Sequence, residues 1–347
     1  MSTTYCRREA DQLYFEQHFE DWLPRRLFDL HAHLVPPGTL RAPSPERLAR
    51  YWMLRLPLQQ TVQEFFEDYA ALLPGRQVHA LAFGMPVQES DIARQNAMLL
   101  EGSRQHERLN VLFLTRPEDE EERLEQALAD GFLGFKPYPD FVVGDHPGEE
   151  AIAEFLTPAM CRVAQRHRAL VMLHISRPGR FGDPRNVDDL LQLAADYPAM
   201  RLIIAHLGRA YNPIYLERAL ERLDGRHPWW YDFSAVVHPG THRLALQSIP
   251  HERICFGFDN PIMLARGYYE FPTESTYRVR MHGIDLDEAD HPPLAYQILK
   301  GFKEAAESVR LDRASLERIL FQNAWDLVHG ARADAARGAV GAAATGG

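Results

Sequence analysis

The chain has 347 residues, 46% of them hydrophobic and 25% charged, which is the composition of a soluble globular enzyme large enough to fold without disulfide staples. Its 38 basic and 48 acidic residues give a net charge of −10, which disfavours nucleic acid as a general partner. No apolar run approaches the length of a membrane span, and the polar start Met1-Ser2-Thr3-Thr4-Tyr5-Cys6 leads into no signal-like apolar core, so no membrane partner is expected.

Residues 1–26 read as a helical preamble, with Tyr14, Phe15, Phe19 and Trp22 at helical spacing. From there short apolar runs alternate with amphipathic stretches. Strands are expected at Leu27–His31, Val78–Phe83, Asn110–Thr115, Leu133–Lys136, Ala169–His174, Arg201–His206, Trp230–Ser234 and Ile254–Phe258. They are rich in Val, Ile, Leu and Phe and apolar on both faces, as buried parallel strands are. Helices fit Glu89–Gln105, Glu118–Ala129, Glu150–His167, Val187–Tyr197, Ile214–Leu223 and Ser315–Val328. Eight β-then-α units predict a (β/α)₈ TIM barrel over residues 27–330. The rival is an open doubly wound sheet, which usually carries a Gly-rich phosphate turn after its first strand, where this chain has His-Ala-His. Residues 331–347, rich in Ala and Gly, are expected to be a disordered tail.

Two connections, Leu34–Arg76 and Pro261–Pro293, are long insertions after strands 1 and 8. Both leave from strand C-termini, where barrel active sites lie, so they are expected to wall the site. The first carries Trp52, Phe65, Phe66 and Tyr69, and the second Tyr268, Tyr269, Phe271 and Tyr277. Cys6, Cys161 and Cys255 are scattered, odd in number and without C-x-x-C spacing, which fits free thiols in the cytoplasm.

The strand ends carry the chemistry. His31 and His33 form an H-x-H at the end of the first strand, and i, i+2 residues of a strand share a face. Lys136, His174, His206 and Asp259 end later strands, so the barrel fold brings all six to one mouth. Imidazoles with a carboxylate suit Zn²⁺ first and Mn²⁺ next. Such an ion lowers the pKa of bound water to about 7, and Asp259 can act as its general base. Arg177, Arg180 and Arg209 follow the ligand-bearing strands and suit an anionic small-molecule substrate, with Arg209 the best placed.

This ordered set resembles the amidohydrolase superfamily, with H-x-H, Lys, His, His and Asp on strands 1, 4, 5, 6 and 8. Ala205-His206-Leu207-Gly208, Tyr231-Asp232-Phe233-Ser234, Phe256-Gly257-Phe258-Asp259-Asn260-Pro261 and Gln322-Asn323-Ala324 extend the resemblance and point to the amidohydrolase 2 branch of decarboxylases, hydratases and lactonases. Phe258 departs from that pattern, which has a small residue there. The resemblance implies that His31, His33, His174 and Asp259 hold one divalent ion, with His206 orienting water, polarising the substrate or binding a second ion. Gly134-Phe135-Lys136-Pro137-Tyr138-Pro139 resembles the stretch whose lysine is carboxylated to bridge two metals in binuclear members. Lys136 can instead bind a substrate carboxylate or snorkel, and Tyr138 is a candidate substrate contact. The implied activity is metal-dependent hydrolysis of an ester, lactone or amide in a small carboxylated substrate. A decarboxylase or hydratase on the same residues is the alternative, a non-catalytic binding barrel comes third, and a homo-oligomer is compatible with all of them.

Overall fold

The structure is a computed structural model and describes residues 5–143, 148–286 and 291–345, with side chains to residue 334. Residues 1–4 of the preamble, 287–290 of the second insertion and the last two of the tail lie outside the described residues. Eight parallel strands form the barrel: β1 (Arg26–His33), β2 (Gln77–Phe83), β3 (Leu109–Val111 and Phe113–Leu114, broken at Leu112), β4 (Gly134–Lys136), β5 (Leu170–Leu173), β6 (Arg201–Ile204), β7 (Trp230–Asp232) and β8 (Ile254–Cys255). Neighbours pair in sequence order. Leu30 N–H donates to Phe256 O at 2.9 Å and Asp259 N–H to His31 O at 2.9 Å, which closes β8 onto β1. The helices α1 (Glu9–His18), α2 (Pro45–Arg50), α3 (Val62–Leu72), α4 (Ile92–Gln105), α5 (Glu121–Asp130), α6 (Pro158–His167), α7 (Pro184–Asp196), α8 (Pro213–Leu223), α9 (Pro239–Ser248), α10 (Leu294–Ser308) and α11 (Asn323–Thr345) complete the main helical set.

Strand alternation divides the core in two. Phe28, Leu30, Leu81, Phe83, Leu170, Met172 and Ile203 pack inside the barrel, where Phe321, Leu327 and Val328 join them at one end. Leu27, Ala80, Ala82, Val171, Leu202 and Ile204 belong to the larger outer layer that holds the helices. This two-period would aim His31 and His33 outward, because Phe28 and Leu30 point inward. A bulge prevents that. Asp29 pairs with Ala80 but Ala32 pairs with Ala82, so β1 carries one extra residue there. Asp29 pins the bulge, its Oδ1 accepting from His31 N–H and Phe258 N–H, each at 3.0 Å, and its Oδ2 from Tyr69 Oη–H at 2.5 Å.

The terminal segments are held by packing. In the preamble Phe15 and Phe19 are buried, and Tyr14 stacks on Tyr296 of α10. The tail boundary at residue 330 needs correction. Ala331 is buried against the barrel interior, Asp334 pairs with Arg201 and Arg168, and the backbone stays helical to Thr345. Alanine, read as a sign of disorder, is also the strongest helix former. Asn323 Nδ2 donates to His251 O and Ile254 O, both at 2.7 Å, tying α11 to β8.

Candidate metal centre

The C-terminal ends of the strands open into a cavity of about 320 Å³ lined by His31, His33, Lys136, His174, His206 and Asp259. All six strand-end residues expected to converge therefore do. Both insertions wall it, the first through Tyr51, Trp52 and Met53, and the second through Ile262, Met263 and the hairpin β9 (Gly267–Thr273) and β10 (Thr276–Met281), which supply Tyr269 and Tyr277. The other insertion aromatics serve packing. Phe65, Phe66 and Tyr69 are core residues, and Tyr268 and Phe271 do not line the cavity. Phe258, the departure from the family pattern, packs on Phe256 and stacks on Tyr69, with ring centroids 4.7 and 6.5 Å away.

Two compact groups, His31, His33 and Asp259, and His31, His206 and Asp232, each bring their ligand atoms within 4.8 Å of one another. His31 Nε2 is 3.5 Å and His33 Nε2 3.0 Å from Asp259 Oδ1. The other ring nitrogens fix the tautomers. His33 Nδ1 is 3.1 Å from Gly84 O, and His31 Nδ1 is 3.0 Å from the Asp232 carboxylate. Both partners are acceptors, so Nδ1 carries a proton in each ring and Nε2 is the nitrogen turned toward the Asp259 carboxylate. Two imidazole nitrogens and a carboxylate oxygen facing one another suit a cation, and carboxylate or carbonyl partners on the far ring nitrogens are the usual support of histidine ligands. The residues thus fit the divalent ion that the sequence implies.

Asp232 is the site residue that sequence reasoning missed. Its motif was visible, but its reach was not. Its carboxylate accepts from His31 Nδ1–H, from the backbone N–H of His206 at 3.1 Å and Ser234 at 3.0 Å, and from the Ser234 hydroxyl. Burial pushes its pKa up, yet His31, His206 and these donors win and hold it near 2. Burial pushes His31 down to about 3, so this ring is neutral. Burial also opposes ionisation of Asp259, but His33, His206 and His31 hold its carboxyl well below the usual range.

His206 opens an unusual turn. His206, Leu207, Gly208 and Arg209 all have positive φ, at 55°, 48°, 71° and 60°. Left-handed backbone costs roughly 1–2 kcal/mol per non-glycine residue, so the fold stores strain here. His206 Nδ1 is 3.0 Å from Ser234 O and 2.9 Å from Ser234 Oγ, whose own proton goes to Asp232. Nδ1 is then a donor, and burial lowers the pKa of the ring. His174 lies further out, its ring 5.2 Å from that of His206 and 4.8 Å from that of Tyr138, and it belongs to neither compact ligand group.

The expected substrate contacts separate. Tyr138 and Arg209 line the cavity. Arg209 directs Nη1 at the carbonyls of Ile175 and Ser176, which anchors it beside the mouth. Arg177 does not line the cavity. It is buried and pairs with Asn186 at 3.0 Å and Asp189 at 2.9 Å, because α7 presents both to it, so it holds the helix in place. Arg180 lies over the rings of Tyr211, Tyr215 and Tyr277. Lys136 is fully buried, with Nζ 4.5 Å above the Phe83 ring, and burial lowers its pKa to about 8.

The sequence profile described as amidohydrolase, for the amidohydrolase 2 branch, matches residues 28–327. The chain belongs to this amidohydrolase family. No curated protein matches it in sequence. Among solved structures, this amidohydrolase is similar to a probable 2-pyrone-4,6-dicarboxylic acid hydrolase from Acinetobacter baumannii with citric acid bound (18% identity, TM-score 0.57, over 87% of this chain and 99% of that one). It is also similar to a 2,6-dihydroxybenzoate decarboxylase from Rhizobium (14% identity, TM-score 0.53, over 88% and 99%). A third likeness is to a mutant 5-carboxyvanillate decarboxylase from Novosphingobium aromaticivorans with bound manganese and 3-methoxy-4-hydroxy-5-nitrobenzoic acid (13% identity, TM-score 0.53, over 89% and 98%). At these identities the likeness establishes the barrel fold. Among the described residues no helix is long and apolar enough to cross a membrane.

Proposed function

We propose that this amidohydrolase is a metal-dependent hydrolase that cleaves an ester, lactone or amide bond in a small carboxylated substrate. The observation that carries the reading is the pair of Nε2 atoms, of His31 and His33, facing Asp259 Oδ1 at 3.5 and 3.0 Å. His31, His33 and Asp259 would hold the ion, with His174 or His206 completing the set and Zn²⁺ or Mn²⁺ the candidates. When bound, a divalent ion supplies charge to polarise a carbonyl oxygen and brings the pKa of a coordinated water to about 7. Asp259 accepts the proton of the attacking water and passes it to the leaving group. His206 Nε2, a lone-pair acceptor, orients that water. Arg209 and Tyr138 receive the substrate at the mouth, and the insertion aromatics exclude bulk water. The citric acid and the nitrobenzoic acid bound by two of the similar structures support a carboxylated ligand.

Decarboxylation of an aromatic acid is the second reading. It is favoured by the six aromatic walls Tyr51, Trp52, Tyr138, Tyr211, Tyr269 and Tyr277. The test is a panel of lactones, esters, amides and aromatic acids given to protein purified without chelators, with acid release and CO₂ release read separately. Acid release that depends on bound metal supports the hydrolase. CO₂ release supports the decarboxylase. Negligible divalent metal, with no gain on adding Zn²⁺ or Mn²⁺, removes both readings.

A further inference from the structure

Lys136 lines the cavity, and the proposed reaction leaves it without a task. It ends β4 at the floor of the cavity, beside the His31–His33–Asp259 group, and its side chain is 0% exposed. Among the described residues no hydrogen-bond acceptor reaches Nζ. Its nearest aromatic neighbours are the ring faces of Phe83 and Tyr138, 4.5 and 5.7 Å away. A ring face attracts a cation weakly but offers none of the three acceptors an ammonium can use. A buried ammonium left this way is costly, and an anion brought in by a ligand removes the cost.

Of the charged groups lining the cavity, Asp259 contributes one negative charge and Lys136 one positive at the floor. Arg50, which is exposed, and Arg209, whose Nη1 is engaged by two carbonyls, also line the cavity. With the divalent ion of the proposed function, on which this step rests, the floor is net positive, and an anionic group offsets it.

We propose that Lys136 is a substrate-binding residue whose ammonium holds a carboxylate of the substrate at the cavity floor, next to the metal ligands. Lys136 therefore selects acids over their neutral analogues, and the reacting bond lies close to that carboxylate. Arg209 then reads only what protrudes toward the mouth.

The test uses benzoate and benzamide as probes, nearly equal in shape and differing in charge. Each is titrated by calorimetry into the whole protein loaded with Zn²⁺ or Mn²⁺, in wild type and in Lys136→Met and Lys136→Gln, with bound metal and thermal melting measured for each. Wild type is expected to bind benzoate at least about tenfold more tightly than benzamide, as loss of a charge-assisted bond implies. Both substitutions should abolish that preference by weakening benzoate roughly ten- to hundredfold, with benzamide affinity and metal content kept. A preference that survives in a folded variant overturns the proposal, as does a wild type that binds both probes equally or neither. Where a variant fails to fold, the wild-type comparison still decides. Loss of metal in the variants, with a carbamate carbon signal in wild type grown in ¹³C-bicarbonate, overturns it in favour of a carboxylated, bridging lysine. Failure of the hydrolase reading appears elsewhere, as a wild type that holds no divalent metal.

Discussion

Asp259 and Asp232 are both carboxylates at strand ends, but they face different partners. Asp259 turns its Oδ1 to two histidine Nε2 atoms and lines the cavity, while Asp232 sits behind His31 and is saturated with donors. Asp259→Asn keeps the shape but cannot take a proton and binds a cation more weakly. It should cut turnover by roughly a hundredfold or more, measured as kcat alongside bound metal. Near-wild-type turnover with full metal would remove both of its proposed roles. Asp232→Asn should leave the ligands in place but let His31 change tautomer, weakening metal affinity by about ten- to hundredfold in a chelator competition. Unchanged affinity would make Asp232 a packing residue only. The sequence exposed Asp259, because it ends an apolar strand-like run. It did not expose the reach of Asp232, which depends on barrel closure bringing β7 to within one strand of β1.

The left-handed turn His206–Arg209 joins backbone strain to the site. Three of its four residues carry side chains at positive φ, and only Gly208 adopts that conformation freely. Gly208 also has no room for a methyl group, since a Cβ there would lie 2.5 Å from Phe181. Gly208→Ala should therefore cost about 1–3 kcal/mol, seen as a lower Tm, and it should displace His206 and lower activity as well. A variant with unchanged Tm would mean that the turn relaxes without harm. The insertions behave differently, being tied down by polar clamps. Arg47 of α2 pairs with Glu89 and Asp140, and Tyr51 donates to Asp140 at 2.7 Å, so loops after β1, β2 and β4 meet at one carboxylate. Such long-range pairings leave no mark in a local pattern, although the length of the insertions and their strand-end origin did forecast their location.

The whole barrel carries several histidines whose burial favours the neutral ring. His242, away from the cavity, donates Nε2–H to Val236 O at 2.9 Å, and burial lowers its pKa to about 3. His79 is lowered to about 4 by burial and by Arg108 nearby. An unfolded histidine titrates near 6.5. Above that value both states are neutral and nothing is lost. Below it the unfolded chain takes up protons that the folded one refuses, so stability falls as the pH drops from about 6.5 toward the folded values. Tm should decline across that window, and His242→Gln, which keeps a donor but does not titrate, should shallow the decline. An identical slope in the variant would show that His242 does not contribute.

The order of strands and helices, the ring of strand-end polar residues and the two long insertions could be read along the chain, because strand period, apolar runs and chain length are local properties. Local reasoning also carried the tail boundary, and failed there, since only the barrel end shows that Ala331 is covered. The tertiary structure decided which nitrogen of each histidine is anchored, since Gly84, Ser234 and Asp232 come from other strands or the loops beyond them. It decided that Arg177 braces a helix while Arg209 stays at the mouth. It also decided that His31 and His33 face inward at all. Counted from Phe28 and Leu30, period-two reasoning aims both outward. The bulge turns them inward, and it is held by Asp29 through partners 2, 40 and 229 residues away.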